Sequence, residues 1–294
     1  GFFLSLQLKI LLIVTLIKSI SGIRGTIGGK PDDGLTPLDV VKFTSAYGTW
    51  VLNNHPKKTK ITVIIGRDAR LSGQMVSNIV SGTLIGLGIN VVDLELSTTP
   101  TVEVAVTELK AHGGIILTAS HNPKQWNALK LLNEKGEFIS EANGQDILKL
   151  AEKAEFNYAE VGDLGTYVTN LDFINTHFKK IIDLPYVDVA AIKKADFTIV
   201  VDAINSSGGI VVPALLEKLG VKNISVIHGD PTGNFAHNPE PLPEHLSDLS
   251  KAVKKQKAHL GISVDPDVDR LAFVCEDGEM FGEEYTLVAV ADYI

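Results

Sequence analysis

A serine follows a short apolar run in the first half of the chain. The run Gly114–Leu117 (GIIL) is typical of a buried strand, and residues 118–123 (TASHNP) come directly after it. Ligand crevices in open α/β sheets lie beyond the carboxyl ends of the strands, and an Asn-Pro pair favours a turn that exposes a neighbouring hydroxyl. Ser120 is therefore a candidate for covalent chemistry. From these residues alone, a polar turn or a helix cap is the alternative.

The next residue, His121, raises the hypothesis of a hydrolase in which a histidine is the base for Ser120. Adjacent side chains diverge in extended chain, and the G-x-S-x-G turn does not occur around Ser120. The pair is therefore poor evidence for a hydrolytic triad. A serine that carries a phosphoryl group needs neither feature, because it requires exposure, a nearby metal ion and cations.

Three carboxylates recur at every second position after another apolar run. Asp265, Asp267 and Asp269 follow residues 260–264 (LGISV), and like charges so close repel strongly unless a cation joins them. Ligands that are all oxygen select a hard cation, Mg²⁺ or Ca²⁺. An EF-hand is rejected because Arg270 replaces its turn glycine and the flanks resemble strands. The remaining alternative is a solvated acidic turn.

Three basic residues could serve a phosphate site near these segments. Arg24 lies among glycines in residues 21–25 (SGIRG), which permits close approach of an anion, although a surface loop is the default interpretation. Lys130 could steady charge or move a proton, or be an ordinary surface lysine. Arg270 could bridge to phosphate or form an ion pair with one of the aspartates.

The elements that must position these residues alternate between strand-like and helix-like patterns. The apolar runs are continuous, as expected for strands covered on both faces, and the order implies an α/β fold with mostly parallel mixed sheets in three layers. The predicted strands are residues 61–65, 90–94, 114–117, 197–203, 223–227 and 260–264. The predicted helices are residues 73–86, 101–110, 171–182, 211–219 and 246–257, and residues 229–243 are predicted to form a long loop.

Two consecutive α/β domains and the beginning of a third account for the length of 294 residues. The interpretation is an N-terminal extension of unclear status at residues 1–14, a first domain with the serine at 15–160, and a second domain with the aspartates at 166–278. Residues 279–294 are predicted to start the third domain with a helix, and the linker is predicted within residues 151–165.

Composition excludes several classes of protein. The net charge of −8 argues against a nucleic-acid partner, which requires a basic face. Cys275 is the only cysteine, so it is interpreted as a structural thiol and a cytoplasmic location is expected. Residues 2–17 are apolar but shorter than the about 20 residues that span a bilayer, and Lys9 interrupts them. No membrane partner is expected.

Taken together, the segments resemble the α-D-phosphohexomutase family, which comprises phosphoglucomutase, phosphomannomutase and phosphoglucosamine mutase. The likeness runs from about Leu16 to the last residue. It rests on SGIRG (residues 21–25), IGRDARLSG (65–73), GGIILTASHNP (113–123), Lys130, VVDAINSSGG (200–209), GNFAHNPEP (233–241) and DPDVDR (265–270), in that order.

The resemblance implies an intramolecular phosphotransferase that interconverts hexose 1-phosphate and hexose 6-phosphate through a phosphoserine and a bisphosphorylated sugar. The partners it implies are a sugar phosphate and a hexose bisphosphate, with a monomer or homodimer as the assembly. Ser120 would be the phosphoserine. Asp265, Asp267 and Asp269 would bind Mg²⁺ together with an oxygen on Ser120. The other implied site residues are the catalytic Arg24, His121 and Lys130 and the substrate-binding Arg270.

Two departures from the family pattern carry expectations of their own. Family members usually have glycine where this chain has Ala128, and a turn with positive φ would be strained there. Members also have four domains, so the chain is expected to be truncated early in the third and to turn over poorly or not at all. A sugar-phosphate-binding fragment without catalysis and a phosphoserine-dependent phosphatase are the alternatives, and the hexose stays open among glucose, mannose and glucosamine.

Overall fold

The computed structural model describes residues 14–19, 22–56 and 59–294. Nearly all of the predicted extension at residues 1–14, together with Ser21 of the SGIRG segment, lies outside the described residues. Within the described ranges, no helix combines the length and apolar character needed to cross a bilayer. The chain forms two α/β units, each built on its own mixed sheet, which confirms the predicted fold class.

The first unit is built on a sheet of mixed direction. Its described strands are β1 (Ile17–Ser19), β2 (Gly22–Thr26), β3 (Thr62–Arg67), β4 (Asn90–Leu96), β5 (Gly114–Leu117), β6 (Trp126–Leu132) and β7 (Tyr167–Thr169), in the spatial order β1-β2-β6-β5-β3-β4-β7. The half from β5 to β7 is parallel and the half from β1 to β5 is antiparallel. The serine segment therefore leaves the sheet at its centre, where parallel and antiparallel halves meet.

Helices cover both faces of this sheet, which explains the continuous apolar runs. The helices are α1 (Pro37–Asn53), α2 (Gly73–Gly86), α3 (Thr99–Glu108) and α4 (Glu141–Lys153). Successive side chains of a strand point to opposite faces. In β3, Val63 and Ile65 join the core under α1, α2 and α4, whereas Ile64 joins the core under α3. Burial of each such side chain contributes about 1.5–3 kcal/mol.

The amino end of α3 is fixed by its own sequence. The hydroxyl of Thr98 accepts a hydrogen bond from the N–H of Thr101 at 3.2 Å, and Pro100 stands in the first turn, where its missing N–H costs nothing. This cap sets the position of Thr99, whose contacts reach the second unit.

The second unit repeats the three-layer plan around a smaller sheet. Its described strands are β8 (Thr198–Asp202), β9 (Asn223–Ile227), β10 (Leu260–Val264), β11 (Leu271–Cys275) and β12 (Met280–Phe281), in the order β12-β11-β10-β8-β9. The helices that follow β7 are α5 (Phe173–Ile182), α6 (Val189–Ala195), α7 (Gly208–Lys218), α8 (Ser247–Gln256) and α9 (Glu283–Tyr293). Ile199 and Val201 pack toward α7, whereas Val200 packs toward α8. Among the described strands of each sheet, parallel and antiparallel pairs are equal in number, so parallel pairing is less dominant than expected.

The first sheet extends past the predicted start of the second domain at residue 166. β7 pairs with β4 in parallel, and Phe173 of α5 joins the core under α3. All three side chains of β7 are exposed, so no apolar pattern in the sequence could reveal this strand. The sequence segment around residues 166–173 therefore belongs by contact to the first sheet.

Two segments for which the sequence analysis predicted no strand are strands. SGIRG, whose default was a surface loop, enters β2, and β2 pairs with β6 so that Arg24 stands opposite Ala128. Lys130 lies in β6 as well. Ala128 is thus in extended backbone, which any residue adopts, and the positive φ that would have strained it does not occur.

Candidate active site

Ser120 stands just beyond β5 in a turn with constrained backbone; residues 118–123 are called the serine loop below. Its φ is +49°, in the left-handed region that residues other than glycine rarely adopt. Its N–H donates to the hydroxyl oxygen of Thr118 at 2.9 Å, and that hydroxyl donates to Asp68 at 2.7 Å. These bonds hold the serine hydroxyl in one direction.

The buried side chain of Arg70 forms hydrogen bonds with the backbone of the serine loop. Arg70 is 1% exposed, and its Nε donates to Asp68 at 3.0 Å. Its terminal nitrogens donate to four backbone carbonyls at 2.5–2.9 Å, those of Ser120, Asn122, Pro123 and Trp126. A guanidinium has five N–H donors, so every one is used. The conformation of the serine loop therefore depends on this single side chain.

Residues 265–270, called the aspartate loop, connect the antiparallel strands β10 and β11. One carboxylate oxygen of Asp265 accepts the N–H groups of Asp269 and Arg270, each at 3.1 Å. Val268 has φ of +62°, a genuine outlier for a β-branched residue. Asp265 thus holds the backbone of its loop with one carboxylate oxygen and leaves the other available to a group outside the loop.

The two loops meet at the boundary between the units. The hydroxyl of Ser120 donates to the second carboxylate oxygen of Asp265 at 2.7 Å. Lys130 donates to Asp267 at 2.7 Å and to Asp269 at 2.9 Å. The structure therefore brings the predicted serine, the three aspartates and the lysine together.

A threonine of the first unit also holds the aspartate loop. The backbone N–H of Thr99 donates to the carbonyl of Asp267 at 2.9 Å, and its hydroxyl donates to the carboxylate of Asp267 at 2.5 Å. On the other side, the hydroxyls of Ser206 and Ser207 donate to the carbonyl of Pro266 at 2.7 and 2.8 Å. Both units thus fix the same loop.

Burial and neighbouring charge perturb the titration of these groups. Burial raises the pKa of Asp265 well above its ordinary value, and the charges of Asp267 and Asp269 raise it further. Although burial acts in the same direction on Asp267, the ammonium of Lys130 holds the pKa of Asp267 below its usual value. Burial acts to lower the pKa of Lys130, but the two aspartates raise it overall. Burial, and then Arg270, lower the pKa of His121 and favour its neutral ring.

The aspartate loop is suited to a divalent cation. Ligand atoms of Asp265, Asp267 and Asp269 lie within 4.8 Å of one another. One carboxylate oxygen of Asp267 is buried without a hydrogen-bond partner among the described residues, an arrangement that costs free energy unless a cation is bound. The donors are oxygens only, which suits a hard metal ion, so the residues present fit such an ion.

The remaining predicted residues line a cleft of about 250 Å³ over the serine. Arg24, His121 and Arg270 are among its walls, together with Ser120 and Lys130. His121 Nδ1 lies 3.4 Å from the serine hydroxyl oxygen, which is long for a hydrogen bond. Arg270 pairs with Glu240 at 3.1 Å, so its observed ion pair is not with an aspartate of its own loop.

Sequence reasoning gave no role to Arg70 and Asp68. Both lie in IGRDARLSG, a segment that was noted only for its likeness. The available signal was a run of three charged residues, Arg67, Asp68 and Arg70, between an apolar strand and an apolar helix, where charges of opposite sign can pair and so be buried. Thr99 gave no signal, because a threonine at the start of a helix is ordinary.

The fold and the site define an α/β protein in which a serine is held against a cluster of three aspartates that is suited to a divalent cation. Models of two consecutive domains match the chain: "Phosphoglucomutase/phosphomannomutase, alpha/beta/alpha domain I" over residues 16–158, and domain II of the same family over residues 175–278. The chain belongs to the phosphoglucomutase/phosphomannomutase family.

Individual relatives agree with the family models. A phosphoglucomutase/phosphomannomutase of Thermococcus kodakarensis is 34% identical over 273 residues, covering 92% of this chain and 59% of the relative. A phosphoglucosamine/phosphogalactosamine mutase of Sulfurisphaera tokodaii is 34% identical over 261 residues, covering 88% and 54%. A solved family member from Burkholderia thailandensis superposes with a TM-score of 0.77 at 26% identity, covering 96% of this chain and 58% of that one. The chain thus spans somewhat over half the length of these relatives.

Proposed function

We propose that this chain carries the phosphoserine and metal-binding part of a phosphohexomutase, which interconverts hexose 1-phosphate and hexose 6-phosphate through a bisphosphorylated sugar. The observation that carries the proposal is the 2.7 Å contact between the hydroxyl of Ser120 and Asp265 across the boundary between the units. The family relationship supports the reaction type. The proposed partners are a sugar phosphate and a hexose bisphosphate, and a cytoplasmic location fits the single Cys275.

We also propose that the cation is Mg²⁺, held by Asp265, Asp267, Asp269 and an oxygen on Ser120. Mg²⁺ is commonly bound by a few carboxylates together with a phosphate oxygen, and when bound it neutralises charge on the transferring phosphoryl group. The buried oxygen of Asp267 supports this choice, because among the described residues it accepts no hydrogen bond from the donors that surround the loop.

The chain's own side chains supply orientation and charge. The left-handed turn and the Arg70 contacts position Ser120 in the wall of the cleft, with its hydroxyl on Asp265. Lys130 and Arg24 are the proposed groups for proton transfer with the sugar hydroxyl, because both face the cleft beside the serine. The raised pKa of Lys130 keeps its ammonium protonated, which lets it stabilise negative charge on the transferring phosphoryl group. Arg270 is the proposed contact for substrate phosphate.

Phosphorylation of the chain tests the proposal. We expect that incubation with glucose 1,6-bisphosphate and Mg²⁺ adds one phosphoryl group by intact mass, and that peptide mapping assigns it to Ser120. The control is Ser120→Ala, which should gain nothing. A chain that takes up no phosphate would favour the binding fragment instead.

Comparison of products separates the mutase from the phosphatase. Release of inorganic phosphate without isomer formation, in a version of the protein extended to the length of its relatives, would favour a phosphatase. We expect the 294-residue chain itself to show little steady turnover, because relatives are much longer. Steady isomerase activity from this chain would contradict that expectation.

A further inference from the structure

We propose that Asp202, His228 and His237 form a second cation site, for a transition metal of the class represented by Zn²⁺. The site lies at the carboxyl end of β8 and is separate from the three aspartates. Residues 228–243, called the histidine loop, supply both histidines. The inference goes beyond the proposed mutase function, which uses neither histidine.

The geometry gathers three ligands of suitable type. Nδ1 of His228 lies 3.1 Å from one carboxylate oxygen of Asp202, and Nε2 of His237 lies 3.0 Å from the other. In the described part of the chain, this is one of two groups of three potential metal-binding side chains whose ligand atoms lie within 4.8 Å of one another. Two imidazoles and a carboxylate suit Zn²⁺, in contrast to the oxygen-only aspartate loop.

The hydrogen bond that Nδ1 of His237 makes to the backbone fixes which ring nitrogen is available to a cation. Its Nδ1 lies 2.8 Å from the backbone carbonyl of Asn238, and because a carbonyl only accepts, Nδ1 must carry the hydrogen. In the neutral ring, Nε2 then presents a lone pair to a carboxylate oxygen of Asp202, an arrangement of two acceptors. A positive charge must lie between them: a proton on Nε2 supplies it in the metal-free chain, and a metal ion would replace that proton and bind His228 as well.

The surroundings match those of known metal-binding histidines. Such histidines donate their second ring nitrogen to a carbonyl or carboxylate, which fixes the ring, as His237 does to Asn238. The side chain of Asp202 is fully buried, whereas those of His228 and His237 are 23% and 16% exposed, so an ion can enter from solvent.

A bound ion would fix the histidine loop to β8. That loop reaches the first unit, where the ring of Phe235 lies 5.2 Å from the guanidinium carbon of Arg70. The backbone N–H of Gly233 also bonds to the carbonyl of Asn205 at 3.0 Å. The cation would therefore stabilise a loop that packs beneath the serine loop.

The test is titration of the purified chain with Zn²⁺ in a large excess of Mg²⁺, followed by calorimetry. We expect one saturable Zn²⁺ equivalent, a rise in the thermal unfolding midpoint on loading, and at least about tenfold weaker binding in both His228→Gln and His237→Gln. Asp269→Asn and His259→Gln are controls that should keep the equivalent, because one lies in the other cluster and one in neither.

Two results would overturn the proposal. One is the absence of a saturable Zn²⁺ equivalent in the native chain, which does not depend on the folding of any variant. The other is unchanged affinity in both glutamine variants with loss in Asp269→Asn, which would place the Zn²⁺ on the aspartate loop.

Discussion

Replacement of Arg70 is expected to disturb the serine loop more than any exposed substitution nearby. In Arg70→Met, Asp68 loses its cationic partner in a fully buried position, and four carbonyls of the polypeptide lose their donors. In Arg70→Lys the charge stays, but an ammonium has three donors where the guanidinium has five, so two of the bonds cannot form.

The magnitude follows from burial. Removal of one member of a buried ion pair costs about 3–5 kcal/mol, and each buried polar group left unsatisfied costs about 1–3 kcal/mol. We therefore expect Arg70→Met to lower the free energy of unfolding of the first unit by at least about 4 kcal/mol. For Arg70→Lys we expect about 2–6 kcal/mol, because two carbonyls are left unpaired.

Urea unfolding followed by tryptophan fluorescence measures these differences, since Trp50 and Trp126 both lie in the first unit. The matched control is Arg67→Lys, whose guanidinium donates to Gln74 at an exposed site and which should change stability by less than about 0.5 kcal/mol. The reasoning also predicts slower phosphorylation of Ser120 in Arg70→Lys at temperatures where it is folded. If Arg70→Lys matched Arg67→Lys in both measurements, the support assigned to Arg70 would be wrong.

Three further predictions concern pH, backbone and metal. Burial lowers the pKa of His112, whose Nδ1 accepts the N–H of Thr62. The contribution of the neutral ring to stability should therefore be complete above the ordinary histidine pKa and decline as pH falls through the lowered value. His112→Gln should flatten this pH dependence in acid unfolding curves, and an unchanged slope would contradict the assignment. Gly82→Ala should stabilise the protein by about 0.5–1 kcal/mol, because the new Cβ meets open space in a helix. Gly233→Ala should destabilise it, because φ is +71° and the new Cβ would lie 2.1 Å from a backbone oxygen. Equal midpoints of thermal unfolding for the two variants would refute this contrast. Asp267→Asn should weaken Mg²⁺ binding at least about tenfold in a calorimetric titration, and retained affinity would exclude this residue as a ligand.

The sequence predicted several elements of high apolar content, whereas α1 and β6, which also supply the first core, were not predicted. Helix α2 and strands β5, β9 and β10 have the predicted bounds, because continuous apolar runs flanked by glycine or polar residues mark strands and helices clearly. β7 was missed because its stability comes from pairing with β4 and not from burial of its own side chains.

The residues of the candidate site also fall into those that a local sequence pattern predicted and those whose role depends on distant contacts. Ser120 and the three aspartates were singled out because their types and spacing restrict the chemistry that they can perform. Arg70 was not, because its importance comes from contacts with backbone carbonyls 50 or more positions away, which leave no local pattern. Thr99 acts on Asp267 across 168 positions, and only the folded arrangement of the units reveals that contact.

The shared attachment of the aspartate loop restricts how the protein can move. Thr99 of the first unit donates hydrogen bonds to Asp267, and Ser206 and Ser207 of the second unit donate to the carbonyl of Pro266. Ser206 also accepts the N–H of Ala69 of the first unit at 3.2 Å. A hinge between the two units would have to break the Thr99–Asp267 and Ala69–Ser206 bonds, which are the members of this set that cross from one unit to the other. We therefore expect a ligand of the cleft to enter and leave near Arg24 and Phe138 without separation of the two sheets.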